Sequence, residues 1–131
     1  MKVLVIDDQP VLRDLLAEFL ELLGHDSDAA ADGRAGLARF DPLVHLAVLT
    51  DFLMPGMTGL DVAEAIRARC CATPIAMISG YALPEDRRRA AQAGVLFMAK
   101  PVTFAQFEAT MAEVEQRAVL ARSLRASTLV R

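Results

Sequence analysis

Short runs of hydrophobic residues alternate along the chain with stretches in which apolar residues recur every three or four positions. The runs cover residues 3–6, 46–50, 74–79 and 95–98, and each has the length of a buried strand. A weaker strand is expected at residues 26–30, where Asp-Ser-Asp has poor strand propensity and favours a sheet edge. The alternation predicts five strand–helix units.

Residues that start or stop helices separate these units where the pattern requires it. Gly24 and Gly94 stand where the first and fourth helices are expected to end. The expected helix starts are Pro10, Asp32, Thr58 with Asp61 in a capping box, Pro84, and Thr103 with Gln106 in a second capping box. The apolar face of the last helix consists of Phe104, Phe107, Met111, Val114 and Ala118.

The predicted strands are mostly apolar throughout, which is typical of a parallel sheet covered by helices on both faces. We therefore expect an α/β fold with a doubly wound, five-stranded parallel sheet and five helices. The ligand site of such a sheet lies at the carboxyl ends of its strands. With 131 residues, of which 54% are hydrophobic, the chain has the size and the core of one domain.

Charge, cysteines and apolar runs exclude several classes of protein. The net charge is −3 and the pI is about 5.3, which argues against a dedicated nucleic-acid-binding protein. Cys70 and Cys71 are adjacent, a spacing that suits neither a disulfide nor a metal or redox motif. No segment has the pattern of a signal peptide or a membrane span. These features favour a reducing, cytoplasmic compartment and no membrane association.

Polar residues are concentrated at the ends of the predicted strands. Asp7 and Asp8 end the first strand, Asp51 the third and Ser79 the fourth, and Lys100 closes the fifth. Because the carboxyl ends of parallel strands lie along one edge of the sheet, these five side chains are expected to converge at one site.

The residue types at this edge suit phosphoryl chemistry. Three carboxylates repel one another and require a cation, and a set of oxygen ligands favours Mg²⁺. Lys100 adds a positive charge, as a phosphoryl group requires during its transfer. The Asp51 carboxylate can act as a nucleophile and form an acyl phosphate, and the Ser79 hydroxyl can bond to a phosphoryl oxygen. Taken singly, these residues also suit a helix cap, a turn or the surface, but their joint placement in this order favours a functional site.

The same residues lie in motifs of a known family. The chain resembles bacterial two-component response-regulator receiver domains over residues 1–117, which leaves residues 118–131 as an extension of the last helix or a flexible tail. The resemblance implies a flavodoxin-like sheet with the strand order 2-1-3-4-5. Ser27 stands where the second strand of the family usually has an aliphatic residue, so this strand is expected to be frayed. The matching motifs are Val5-Ile6-Asp7-Asp8, Gly24-His25, Ala31-Asp32-Gly33, the stretch Thr50-Asp51-Phe52-Leu53-Met54-Pro55-Gly56-Met57-Thr58-Gly59, Ile78-Ser79-Gly80-Tyr81 and Phe97-Met98-Ala99-Lys100-Pro101.

The resemblance implies a role for each residue of the site. Asp51 corresponds to the phosphoacceptor and Lys100 to the lysine that pairs with the phosphoryl group. Asp8 is implied as a direct Mg²⁺ ligand, Asp7 as a ligand acting mainly through water, and the backbone carbonyl of Leu53 as a further ligand.

Two further positions imply a switch. Ser79 corresponds to the hydroxyl that moves toward the phosphoryl group, and Phe97 to the aromatic residue that swings inward behind it. Leu53 and Tyr81 stand two residues after Asp51 and Ser79. Since Leu53 has neither a carboxamide nor a carboxylate to orient a hydrolytic water, slow self-dephosphorylation is expected.

The resemblance also implies partners for a regulator that is not itself an enzyme. The phosphoryl donor would be a histidine kinase or a histidine phosphotransfer protein, which docks around residues 10–16 and 101–104. The output would be a downstream protein target or a fused output domain, read at helix 4, strand 5 and helix 5. Arg87, Arg88 and Arg89 form a basic run on helix 4 that is best explained as a solvated face, although a salt-bridged homodimer or an acidic partner is the alternative.

Other classes of function fit the sequence less well. An aspartyl-phosphate phosphatase needs an acid–base residue where Leu53 stands, and a dinucleotide-binding protein of similar fold needs a G-x-G-x-x-G after the first strand, which is absent. A degenerate receiver that only binds proteins would have lost a site residue, and none is lost. His25 and His45 are expected at the surface without a role. The sequence does not distinguish a stand-alone receiver from part of a longer protein.

Overall fold

The computed structural model describes residues 1–70 and 72–130, with the backbone alone for residues 126–130. Five strands and five helices alternate along these residues. The strands are β1 (Lys2–Ile6), β2 (Asp26–Ala30), β3 (Ala47–Asp51), β4 (Ile75–Ser79) and β5 (Leu96–Ala99). The helices are α1 (Pro10–Leu22), α2 (Gly33–Arg39), α3 (Gly59–Arg69), α4 (Pro84–Gln92) and α5 (Phe104–Val130).

The strands form one parallel sheet in the order β2-β1-β3-β4-β5, which confirms the predicted fold and strand order. Strand β2 lies at an edge, as its polar sequence predicts. It pairs with β1 over all five of its residues, so the fraying expected at Ser27 is absent: Ser27 is the register partner of Val3.

Helices cover both faces of the sheet and bury two separate cores. One core contains Leu4, Ile6 and Val48 with side chains of the α3 helix such as Leu60 and Ile66. The other core lies under α1 and α5, and its members include Val3, Val5, Leu16, Leu20 and Phe107. Successive residues of β1 therefore alternate between the two cores, which explains why this strand is apolar at every position.

Most of the predicted helix boundaries are confirmed. Pro10 and Pro84 open α1 and α4, and the Thr58–Asp61 capping box is complete. The capping box expected at Thr103 is only half formed. The backbone N–H of Gln106 donates to the Thr103 hydroxyl at 3.2 Å, but the Gln106 carboxamide faces the backbone of Ala99 instead of that of Thr103.

Helix α5 continues beyond the predicted domain end at residue 117. Ala118 is buried, and the Arg125 guanidinium donates to the carbonyl of Pro42 at 3.2 Å. The backbone is helical through Val130. The division of the chain at residue 117 stays a prediction, and Arg131 lies outside the described residues.

The expectation that both histidines lie at the surface is wrong. His45 is only 2% exposed, and its Nε2 lies 2.8 Å from a carboxylate oxygen of Asp28. His25 is largely covered as well, with Nε2 2.6 Å from Glu115. Each ring joins two elements that are distant in sequence, a placement that local sequence patterns do not reveal.

Cys70 is a free thiol in the structure. Cys71 itself lies outside the described residues. Within the described part of the chain, no helix combines the length and the apolar character that crossing a bilayer requires.

Candidate functional site

The carboxyl edge of the sheet brings together the polar residues that the sequence places at strand ends. Asp7 and Asp8 directly follow β1, Asp51 is the last residue of β3, and Lys100 directly follows β5. Ser79, the last residue of β4, lines a cleft of about 180 Å³ together with Asp51 and Lys100. The parallel topology is the cause, because it aligns the ends of all these strands.

Three carboxylates form the acidic part of the site. Oxygens of Asp7, Asp8 and Asp51 all lie within 4.8 Å of one another. Asp7 is 0% exposed and Asp51 is 3% exposed. One Asp7 oxygen accepts a hydrogen bond from the backbone N–H of Gln9 at 2.9 Å, whereas the other is buried and has no hydrogen-bond partner among the described residues. Such an orphaned anionic oxygen costs free energy unless a proton or a cation reaches it.

Burial dominates the electrostatics of Asp7. Burial, with a smaller contribution from the negative charge of Asp51, raises the pKa of Asp7 from 3.8 to about 6 against the opposing hydrogen bond from Gln9. The raised pKa shows that the ionised form is costly in this buried position, and a bound cation would offset that cost. The oxygen-only ligands and the orphaned Oδ2 thus fit a hard divalent cation such as Mg²⁺.

Lys100 compensates the charge of Asp51. Its Nζ lies 3.0 Å from Asp51 Oδ1, which also accepts the backbone N–H of Phe52 at 3.1 Å. Burial still raises the pKa of the Asp51 carboxyl above its ordinary value, while Lys100 opposes this shift. Both described hydrogen bonds go to Oδ1, so among the described residues Oδ2 is the oxygen with fewer bonds.

The two predicted switch residues are not directed at the acidic group. The Ser79 hydroxyl donates to the carbonyl of Tyr81 at 2.7 Å and accepts the N–H of Tyr81 at 3.1 Å. Phe97 lies on β5, does not line the cleft, and has the Arg87 guanidinium 5.5 Å from its ring centre. Both side chains therefore have partners outside the site.

Comparisons with known proteins identify this arrangement. The family model for the response regulator receiver domain matches residues 3–112. The chain belongs to this family. Chemotaxis protein CheY of Pseudomonas aeruginosa is 37% identical over 111 residues, which make up 79% of this chain and 86% of CheY. The structure of response regulator protein TrrA from Thermotoga maritima, solved in complex with Mg(2+)-BeF, superposes with a TM-score of 0.77 at 28% identity and covers 86% of this chain and 97% of TrrA.

A longer relative shows the receiver within a larger protein. The transcriptional regulatory protein TcrA of Mycobacterium tuberculosis is 29% identical over 123 residues, which make up 93% of this chain but only 49% of TcrA. The receiver thus spans about half the length of that relative. Domains of this family are regulators rather than enzymes in the ordinary sense, in agreement with the expectation from sequence.

Phe52, Gly59 and Arg13 contact the site in roles that the sequence did not predict, although Phe52 and Gly59 lie in the matching motif around Asp51. Gly59 donates its N–H to the carbonyl of Phe52 at 2.8 Å, and a Cβ at this position would overlap the backbone oxygen of Asp51. The Phe52 N–H donates to the Asp51 carboxylate at 3.1 Å. Arg13, one turn into α1, donates to the backbone carbonyl of Asp7 at 2.9 Å. Of these three residues, only Gly59 could have been noticed from local sequence alone. Glycine is a poor helix former, so it is unusual at the position directly after the Thr58 N-cap.

Proposed function

We propose that this receiver is a phosphoacceptor switch in which Asp51 takes a phosphoryl group from a histidine kinase or a histidine phosphotransfer protein in a Mg²⁺-dependent reaction. The observation that carries the proposal is the buried Asp51 carboxylate, with Lys100 Nζ 3.0 Å away and two more carboxylates within 4.8 Å. This is a nucleophile beside a positive charge and a set of metal ligands, as transfer of a phosphoryl group requires.

The transfer needs no reactant other than Asp51 and the donor's phosphohistidine. Asp51 Oδ2 attacks the phosphorus of the donor's phosphohistidine, an O–P bond forms and the P–N bond breaks. The electron pair of the P–N bond returns to the imidazole nitrogen. Lys100 then faces the new phosphoryl oxygens, because its ammonium group already lies beside the carboxylate that has reacted. The product is an acyl phosphate, which stays reactive toward water.

The acidic residues define where Mg²⁺ would be held. Asp7, Asp8 and Asp51 supply carboxylate oxygens, and we assign the backbone carbonyl of Leu53 as a further ligand. When bound, the ion would neutralise charge on the phosphoryl oxygens during transfer. The relative TrrA was solved in complex with Mg(2+)-BeF, which supports this choice of ion.

Ser79 and Phe97 would transmit the reaction to the surface. A phosphoryl group on Asp51 adds negative oxygens beside the Ser79 hydroxyl, which can exchange its bonds to Tyr81 for one to the phosphoryl group. Phe97 would then move inward and change the surface of α4, β5 and α5. The reader of that surface is a downstream protein, a fused output domain or a second copy of the receiver, all in the cytoplasm.

The first test is phosphorylation by a small donor. We expect wild-type protein incubated with acetyl phosphate and Mg²⁺ to gain one phosphoryl group in intact-mass measurements, and to gain none when EDTA removes the cation. Phosphorylation at the same rate in EDTA would contradict the role of Mg²⁺. Absence of both phosphorylation and Mg²⁺ binding would favour the alternative, a degenerate receiver that acts only as a protein-binding module.

The phosphorylated receiver is expected to lose its phosphoryl group slowly. The side chains flanking the cleft, Leu53 and Tyr81, are 63% and 72% exposed, and neither offers a carboxamide or carboxylate to orient a water. Leu53→Asn should accelerate the loss on the order of tenfold, less than a dedicated general base provides. A time course of intact mass after removal of the donor measures both rates.

The matched control for this prediction is Leu43→Asn, because Leu43 is similarly exposed and does not line the cleft. Its rate of loss should equal that of wild type. Complete loss from wild type within minutes would contradict the prediction, and so would equal rates in the two asparagine variants.

A further inference from the structure

A groove of about 470 Å³ lies at the end of the sheet opposite to Asp51. It opens where β4 and β5 begin, beside Pro74 and Gly94, and Leu120 and Leu124 of α5 form one wall. The groove is larger than the cleft at Asp51, and none of the proposed phosphorylation residues lines it. The groove is therefore separate from the site of phosphoryl chemistry.

The helical wall of the groove is held in place by contacts with the rest of the domain. Ala118 is buried against the domain, and Arg125 donates to the carbonyl of Pro42 at 3.2 Å and lies 3.3 Å from Cys70 Sγ. This wall consists of residues beyond 112, where the match to the family model ends. The groove is thus preformed, and one of its walls is contributed by the part of α5 beyond residue 112.

The groove combines an apolar surface with positive charge. Leu120 is 61% exposed and stands in the groove with the small side chains of Ala72 and Ala93. The guanidinium groups of Arg67 and Arg117 also line it. Arg67 donates to the carbonyl of Ala93 at 2.7 Å, and Arg117 donates to the carbonyl of Gly94 at 3.0 Å and pairs with Glu113 at 3.1 Å, so the two side chains are held in place at the groove. An apolar wall with guanidinium groups beside it suits a ligand that has both apolar side chains and carboxylates.

The charge along the chain is divided in the same way. All 17 acidic residues and ten of the 14 basic residues lie in residues 1–115, which gives this part a net charge of −7. Residues 116–131 contain four arginines and no acidic residue, which gives a net charge of +4. The wall of the groove therefore belongs to a strongly positive segment on a negative domain, and it favours a negatively charged partner.

We infer that this groove binds an acidic amphipathic helix of a partner protein, with leucine-like side chains against Leu120 and carboxylates beside Arg67 and Arg117. A second copy of α5 is disfavoured as the occupant because it would bring the same positive charge. A membrane surface is disfavoured because it cannot enter a concave groove. Nucleic acid is disfavoured because a sugar–phosphate backbone would satisfy the arginines but leave the exposed Leu120 and Leu124 unmatched. Helix-in-groove binding uses this combination of apolar anchors and complementary charge.

The test uses two designed helical peptides with the same leucine spacing, one with glutamates and one with lysines at the polar positions. Binding to the unphosphorylated full chain is measured by fluorescence anisotropy, so that the result does not depend on the chemistry at Asp51. We expect the glutamate peptide to bind at least tenfold more tightly than the lysine peptide. Leu120→Asp should weaken binding of the glutamate peptide by at least tenfold relative to wild type.

Val119→Asp is the matched control. Val119 is the neighbouring residue, is 62% exposed, and does not line the groove, so the variant makes the same change in charge on the same helix outside the proposed site. Its affinity should stay within about threefold of wild type, and thermal unfolding verifies that both variants fold.

Several outcomes overturn the inference. Equal affinity of the two peptides would contradict the proposed site. So would an equal loss of affinity in Leu120→Asp and Val119→Asp, or a failure of the glutamate peptide to bind at millimolar concentration. Self-association that Leu120→Asp abolishes would identify a second copy as the occupant. Binding to vesicles of anionic lipid that Leu120→Asp abolishes would identify a membrane surface.

Discussion

Asp51→Asn is expected to abolish phosphorylation by acetyl phosphate in Mg²⁺. The carboxamide retains an oxygen that can accept the Phe52 N–H and face Lys100, so the local structure should persist. It lacks the negative charge and the nucleophilic oxygen that form the acyl phosphate. Incorporation should fall on the order of a hundredfold or more, because removal of a nucleophile eliminates a pathway instead of slowing it. Intact mass after a fixed incubation measures the difference.

Asp26→Asn is the matched control, since it makes the same chemical change at an exposed position on the edge strand β2. This variant should gain the phosphoryl group at the wild-type rate. If Asp51→Asn were phosphorylated as fast as the control, the acceptor would be another residue and the proposed function would lose its central element. Peptide mapping of the phosphorylated wild type would then locate that acceptor.

The site was predictable from sequence to the extent that it depends on topology. Parallel strands align their carboxyl ends, so assigning β1, β3 and β5 was sufficient to bring Asp8, Asp51 and Lys100 together. Side-chain orientation was not predictable in this way. The Ser79 hydroxyl bonds to the backbone of Tyr81. Such a bond depends on which carbonyl group lies nearest, and the assignment of strands does not define the positions of loop carbonyls.

Long-range pairs show the same limit. His25 and Glu115 are 90 residues apart, and no local pattern relates them. The course of α5 was similarly uncertain, because the apolar repeat of its packed face ends at Ala118. The structure extends this helix through contacts such as that of Arg125 with Pro42, which join segments 83 residues apart. Local patterns thus define elements, whereas contacts between distant segments define their surfaces.

Asp7→Asn is expected to stabilise the receiver at neutral and alkaline pH in the absence of divalent cations. The pKa of Asp7 is raised from 3.8 to about 6 in the fold, chiefly by burial, so the folded state favours the protonated carboxyl group. The stability that this group contributes is fully present below pH 3.8 and is lost as the pH rises through about 6. A shift of this size corresponds to a penalty of up to about 3 kcal/mol for the ionised form.

Asparagine removes the ionisation but retains an oxygen for the Gln9 N–H. The free energy of unfolding at pH 8 in EDTA should therefore rise by about 1–3 kcal/mol, the lower bound allowing for the amide that replaces the orphaned oxygen. The gain should shrink toward zero at pH 4, where the wild-type carboxyl group is largely protonated. Urea unfolding of both proteins across this pH range provides the measurement, with Asp26→Asn as the control for a generic loss of negative charge.

Magnesium should narrow the difference in stability between the two proteins. A cation that binds only the folded state stabilises it in proportion to the logarithm of its concentration, so wild type should gain stability in millimolar Mg²⁺ at pH 8. Asp7→Asn should gain less, because it has lost one of the three carboxylates that lie within 4.8 Å of one another. If the variant were less stable than wild type in EDTA, the buried charge of Asp7 would not destabilise the folded state, contrary to this prediction. If Mg²⁺ stabilised both proteins equally, Asp7 would not contribute to the metal site, and its burial would need a different cause.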